Sequence, residues 1–144
     1  GHRAIMNDIT AAIALEQLKK LSSFISRRKE IHAMYDERLG NIEWLDIPPE
    51  LPKESTSSYY FYHIQINNGH RDSLAKYLRE NGVYTTFRYF PLHRVKGYNI
   101  DGDFPEADYA ADNTLCIPIH QGLTNNEIEY ITEKIIEFGK INNF

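Results

Sequence analysis

Cysteine is almost absent from the chain: Cys116 stands alone. That excludes an internal disulfide, and the lack of any Cys/His cluster at zinc spacing argues against a structural metal. Such usage fits a reducing, cytoplasmic setting. Long apolar runs are missing as well, so nothing reaches the ~20 residues that a membrane-crossing helix needs. The N-terminus shows neither the charged nor the apolar region of a secretory signal. Basic residues are outnumbered, 16 Lys and Arg against 20 Asp and Glu for a net charge of -4. A general nucleic-acid footprint is therefore excluded. Also absent are the GxSxG elbow, a phosphate-cradling GxxxxGK loop, HExxH and GxGxxG. No complete nucleophile and base can be assembled, so the chain acting alone reads as a binding domain rather than an enzyme.

What is present is ordinary globular material: 144 residues, 42% hydrophobic and 25% charged, enough for one domain with a real core. Asn7 or Asp8 can cap a first helix on which Ile9, Ile13, Leu18 and Leu21 recur at helical spacing. Ser22 and Ser23 mark a break or bend. A second helical stripe, Phe24, Ile25, Ile31, Met34, Tyr35 and Leu39, then runs to a stop at Gly40. Core packing explains these stripes, with a dimer interface as the alternative. A short strand is expected around Ile42–Ile47, followed by the exposed linker PKESTSS. SYYFYHIQIN alternates as a strand does, with Tyr60, Tyr62, Ile64 and Ile66 on one face.

Asn68 and Gly69 turn the chain into a helix that buries Leu74, Tyr77 and Leu78 and ends at Asn81 and Gly82. A strand from Tyr84, a short helix opened by Pro105, a buried strand end in LCIPIH and a closing helix follow. Thr124 and Glu127 form a capping box for that last helix, whose seam is Ile128, Ile131, Ile135 and Phe138. The fold expected is α+β, a small, mostly antiparallel sheet covered by helices. Residues 1–40 form a helical segment, and 41–144 form the α+β domain.

The stretch YTTFRYFPLHRVKGY carries the chemistry. A strand is stopped by Pro91, and its loop concentrates Arg88, His93, Arg94 and Lys96 in an acidic chain. Such donors beside aromatic surface suit a carboxylate or phosphate with a flat ring alongside; a solvated turn is the bland alternative. His93, in its rigid turn, leads the six histidines as a functional candidate, and His120 comes second.

Several motifs in order resemble one family. Gly1 to Met6 with NDITAAIALEQL, RRKEIHAMYDERL, the FPLH turn followed by Tyr98, FPEADYAAD and CIPIHQGLT are similar to the C-terminal segment of the DegT/DnrJ/EryC1/StrS aminotransferases. The resemblance implies a fold-type I enzyme dependent on pyridoxal 5'-phosphate. Such an enzyme moves an amino group from glutamate to a nucleotide-linked keto sugar, as a homodimer. It further implies that Arg3 reaches the cofactor phosphate of the neighbouring subunit, although His2 and Ile5 depart from the family's pattern around it. His93 matches the histidine that lines the substrate pocket, and Arg88 stands where it can bind an acidic group. The family's catalytic lysine belongs to a preceding large domain, so the chain reads as the C-terminal lobe of a longer enzyme, inactive alone, with residues 1–40 linking to that domain and lying at the dimer interface. Two alternatives stay open: a non-catalytic module binding a small anion or a partner protein, and a dehydratase-type relative that keeps the cofactor but replaces its lysine.

Overall fold

The computed structural model of the chain describes residues 5–144. Helix α1 runs without interruption over Asp8–Leu39. Asn7 caps it, its side-chain oxygen accepting from the Thr10 N–H at 2.9 Å, and Asp8 in the first turn complements the helix dipole. The break expected at Ser22 and Ser23 does not form. The Ser23 hydroxyl instead donates to the Lys20 carbonyl at 2.8 Å, a bond that satisfies it inside the helix.

Three strands follow in the order β1 (Leu45–Asp46), β2 (Tyr62–Ile66) and β3 (Thr114–Ile117), antiparallel throughout. β2 is central and pairs Tyr62 with Ile117 and Ile64 with Leu115. Its alternation is the one the sequence predicts: Tyr62, Ile64 and Ile66 are buried while His63 and Gln65 are half-buried. Tyr60 is a correction, because it precedes the strand and is exposed.

Helix α2 (Arg71–Glu80) buries Leu74 and Leu78 and ends at Asn81, after which Gly82 takes a positive φ of 77° that favours glycine. Helix α3 (Pro105–Asn113) starts with its proline in the first turn. Helix α4 (Asn125–Ile141) opens on the Thr124–Glu127 capping box and buries Ile128, Ile131, Ile135 and Phe138. Short 3-10 turns occupy Asn67–Gly69, Leu92–Arg94 and Lys96–Tyr98.

The strand expected from Tyr84 is reduced to one bridge, Thr86 opposite Cys116. β-Propensity made these residues extended, but a ladder needs a partner along its whole length, and only Thr86 finds one.

One core joins Ile31, Tyr35 and Leu39 of α1 to Ile64, Leu78 and Ile135. Each such side chain contributes roughly 2 kcal/mol on burial. Two phenols inside it are satisfied: Tyr35 donates to the Pro118 carbonyl at 2.7 Å and Tyr62 to an Asp36 carboxylate oxygen at 2.8 Å. Burial pushes both phenols far above their ordinary pKa, so they remain neutral donors. In the upstream half of α1, by contrast, Ile9, Ile13, Leu18 and Leu21 are exposed. Core packing therefore explains only the downstream stripe.

Candidate functional site

The Tyr84–Arg88 segment is extended and anchored at its middle. Thr86 donates to the Cys116 carbonyl at 3.0 Å and accepts from the Cys116 N–H at 2.8 Å. Side chains of an extended chain alternate in direction, and these do: Tyr84, Thr86 and Arg88 line one cleft, while Thr85 and Phe87, with Tyr84 at the border, line another recess. The segment is thus a wall between two concavities.

The first cleft has a volume of about 490 Å³, and Tyr60, His120, Glu127 and Tyr130 line it together with Arg88. The Arg88 guanidinium lies 5.9 Å from the Tyr89 ring centre, and the Tyr89 and Tyr60 hydroxyls are 3.4 Å apart. Hydrogen bonding separates the two phenols: Tyr60 is raised by its contact with Tyr89, and Tyr89 is lowered by Tyr60 and then by Arg88. The Tyr89 side chain in turn holds the Arg88 pKa above its ordinary value. Arg88 therefore stays cationic beside two polar hydroxyls, a combination suited to an anionic or hydroxyl-bearing ligand. Burial pushes the Cys116 thiol up, which favours the neutral thiol over the thiolate.

His93 sits elsewhere, in the Leu92–Arg94 turn. Its Nε2 lies 2.8 Å from an Asp108 carboxylate oxygen, and its ring stacks on Phe104 at 4.8 Å. Arg94 grips Asp112 with two bonds of 2.7 and 2.8 Å and reaches Asp108 through Nε at 2.5 Å. The Asp108 and Asp112 carboxyls are held below the usual range, Asp108 first by its hydrogen bond to His93 and Asp112 first by its hydrogen bond to Arg94. The reading of the whole loop as an open basic grip is corrected accordingly: α3 neutralises Arg94, whereas Arg88 faces the cleft. The signal was available, because Asp108 and Asp112 stand four residues apart on one helix face.

His120 borders the same cleft as Arg88, with its Nδ1 accepting from the Gly122 N–H at 3.2 Å. Among the described residues no hydrogen bond joins Arg88 to His93. Tyr60 and Tyr89 bring hydroxyls to the candidate site, whereas the sequence reading weighed Tyr60 as sheet packing before ligand stacking and Tyr89 as aromatic surface of the basic stretch. Arg3 lies outside the described residues. Among those residues no group of three His, Cys, Asp or Glu could hold a metal ion, and no helix is long and apolar enough to cross a membrane.

The sequence pattern of the DegT/DnrJ/EryC1/StrS aminotransferase family matches residues 1–136, and the chain belongs to that family. A dTDP-4-dehydro-2,3,6-trideoxy-D-glucose 4-aminotransferase of Saccharopolyspora spinosa is 41% identical over 93% of the chain and 35% of its own length. Among solved structures, the aminotransferase TlmJ from Streptoalloteichus hindustanus superposes with a TM-score of 0.90 at 44% identity, covering 94% of the chain and 37% of TlmJ. A putative sugar aminotransferase from Streptococcus pneumoniae, solved in its PLP form, does so with 0.84 at 26%, covering 92% of the chain and 36% of that protein. The chain spans little more than a third of the length of these relatives.

Proposed function

We propose that this chain is the small C-terminal domain of a pyridoxal-phosphate-dependent aminotransferase that moves an amino group from glutamate to a nucleotide-linked keto sugar, working in the cytoplasm as a homodimer. The observation that carries the reading is the 41% identity, across 93% of the chain, to a relative named for amino transfer to a dTDP-linked sugar. When bound, pyridoxal phosphate supplies an electron sink for the carbon that exchanges its amine.

The residues of the Arg88 cleft do not fit the seat of the cofactor's reactive carbon. Covalent attachment there needs an amine, and the cleft lining, which includes the Arg88 guanidinium, the His120 imidazole, the Cys116 thiol and the Glu127 carboxylate, contains no lysine. In this reading the lysine belongs to a preceding large domain, and Arg3 reaches the cofactor phosphate of the second subunit. The part left to this chain is substrate binding. Arg88 holds an acidic group, the Tyr60 and Tyr89 hydroxyls orient sugar oxygens, and His93, fixed by Asp108, lines the substrate pocket. The uncovered apolar half of α1 packs at the dimer interface and against the large domain.

The test is made on the full-length protein, supplied with glutamate and a dTDP-linked keto sugar. Amino sugar and 2-oxoglutarate are expected in equal amounts. Loss of water from the sugar without 2-oxoglutarate would instead identify a dehydratase, such as the 27% identical dTDP-4-dehydro-2,6-dideoxy-D-glucose 3-dehydratase of Saccharopolyspora spinosa. Ligand binding with neither product would identify a non-catalytic module. Arg88→Ala is expected to raise KM by roughly tenfold or more, the worth of a charged hydrogen bond, with a smaller change in His93→Ala. Wild-type kinetics in either variant removes that residue from the site.

A further inference from the structure

A further groove, of about 820 Å³, opens between helix α1 and the loop that joins β1 to β2. His32 and Asp36 line it from α1, and Glu50, Tyr59, Tyr60 and Phe61 line it from the loop. Its two carboxylates stand there without a lysine or arginine in the lining. Asp36 is fixed by two neighbours: its Oδ1 accepts from the Tyr62 hydroxyl at 2.8 Å, and its Oδ2 lies 3.0 Å from His32 Nδ1. The side chain is still 40% exposed, and a carboxylate offers about four acceptor positions, so room for a further donor remains. Glu50 is exposed and, among the described residues, forms no ion pair.

Three aromatic rings complete the lining. Tyr59 carries a positive φ of 48°, a strained conformation for a residue with a Cβ. Its N–H donates to the Ser57 hydroxyl oxygen at 3.0 Å, and its ring meets His32 edge-on at 5.2 Å. The Tyr60 and Phe61 rings meet edge to face at 4.5 Å. Both also line the Arg88 cleft, but the Arg88 guanidinium borders the cleft and not this groove.

We infer that this groove is a binding site for a small organic ammonium ion, held by the faces of Tyr59, Tyr60 and Phe61 and by the Asp36 and Glu50 carboxylates. Aromatic faces carry the negative end of the ring quadrupole and attract ammonium groups, quaternary ones included. The carboxylates add direct attraction between opposite charges. A phosphate or carboxylate ligand would meet like charge. An apolar ligand would desolvate the two carboxylates without compensating them. A bare metal ion would leave the rings unused, and among the described residues no group of three His, Cys, Asp or Glu could hold one. Glutamate brings two carboxylates with its one ammonium, and a nucleotide-linked sugar brings phosphates. The occupant is therefore neither of them, and the inference does not rest on the aminotransferase reading.

Calorimetric titration of the full-length protein with choline tests the inference, because a quaternary ammonium cannot condense with an aldehyde cofactor. Choline is expected to bind once per chain, and its neutral carbon isostere, dimethylbutanol, about tenfold more weakly or worse. Asp36→Asn, which removes the charge and keeps the shape, is expected to raise the choline Kd several-fold. Glu50→Gln, on the exposed loop, and Tyr59→Leu, which removes a ring, are expected to do the same. Glu43→Gln, a like loss of charge beside a different cleft, is expected to leave Kd within twofold. Circular dichroism checks that each variant keeps its fold. Should Asp36→Asn unfold through its contact with Tyr62, Glu50→Gln decides the charge requirement. Absence of choline binding, equal Kd for choline and the neutral alcohol, or wild-type Kd in Glu50→Gln overturns the site. Amino transfer is measured separately, so either proposal can fail without the other.

Discussion

The two halves of α1 share one helix and one kind of sequence pattern, yet they meet opposite surroundings. Ile31, Tyr35 and Leu39 are completely buried, whereas Ile9, Ile13 and Leu18 are 76%, 60% and 64% exposed. The downstream stripe packs against α4 and the sheet; the upstream stripe stays exposed among the described residues. The difference teaches that helical spacing reports the existence of a face and not its partner. Local factors hold the upstream half in shape: the Asn7 cap, the helix-favouring Ala11, Ala12 and Ala14, and the Glu16–Lys19 ion pair at 2.5 Å.

Substitutions along this one helix can break the comparison. Ile31→Ala should cost about 2–5 kcal/mol, the range for removing a buried aliphatic side chain, measured by urea unfolding of the full-length protein; a loss under ~1 kcal/mol would mean that the downstream face is less tightly packed than it looks. Tyr35→Phe should cost about 1 kcal/mol, because the Pro118 carbonyl loses its donor while the ring stays in place. Ile13→Ser should change stability of the fold by no more than ~0.5 kcal/mol, as an exposed position does. Its effect is expected in subunit association instead, read by light scattering. If it destabilises the monomer as Ile31→Ala does, the upstream half is covered by the same chain and the contrast disappears.

Much of this architecture was legible. The Thr124–Glu127 box, the Asn7 cap, the Pro105 start and the β2 alternation are local signals, each set by a few neighbouring residues. What escaped depended on partners distant in sequence. Ser22 and Ser23 looked like a break, but a serine hydroxyl can turn back onto its own helix, as that of Ser23 does. The segment from Tyr84 has strand composition and shows strand-like facing, while its hydrogen bonds are limited to what Cys116 offers. In the site, Arg88 was legible as a cation on that segment. For the neutralisation of Arg94 only half the signal was local, the i,i+4 pair of Asp108 and Asp112; which cation that pair meets was set by the packing of a separate helix. Tyr60 entered the site only because β2 begins two residues later than its alternation implied.

The wall between the Arg88 cleft and the Phe87 recess is one chain thick and is fastened to the sheet by the paired bonds of Thr86 and Cys116. Such a partition has no independent sides. An occupant that pushes Tyr84 outward from one chamber moves the boundary of the other by the same step. A displacement of Tyr84, the residue the two recesses share, therefore reshapes both at once, with the Thr86–Cys116 pair as the fulcrum.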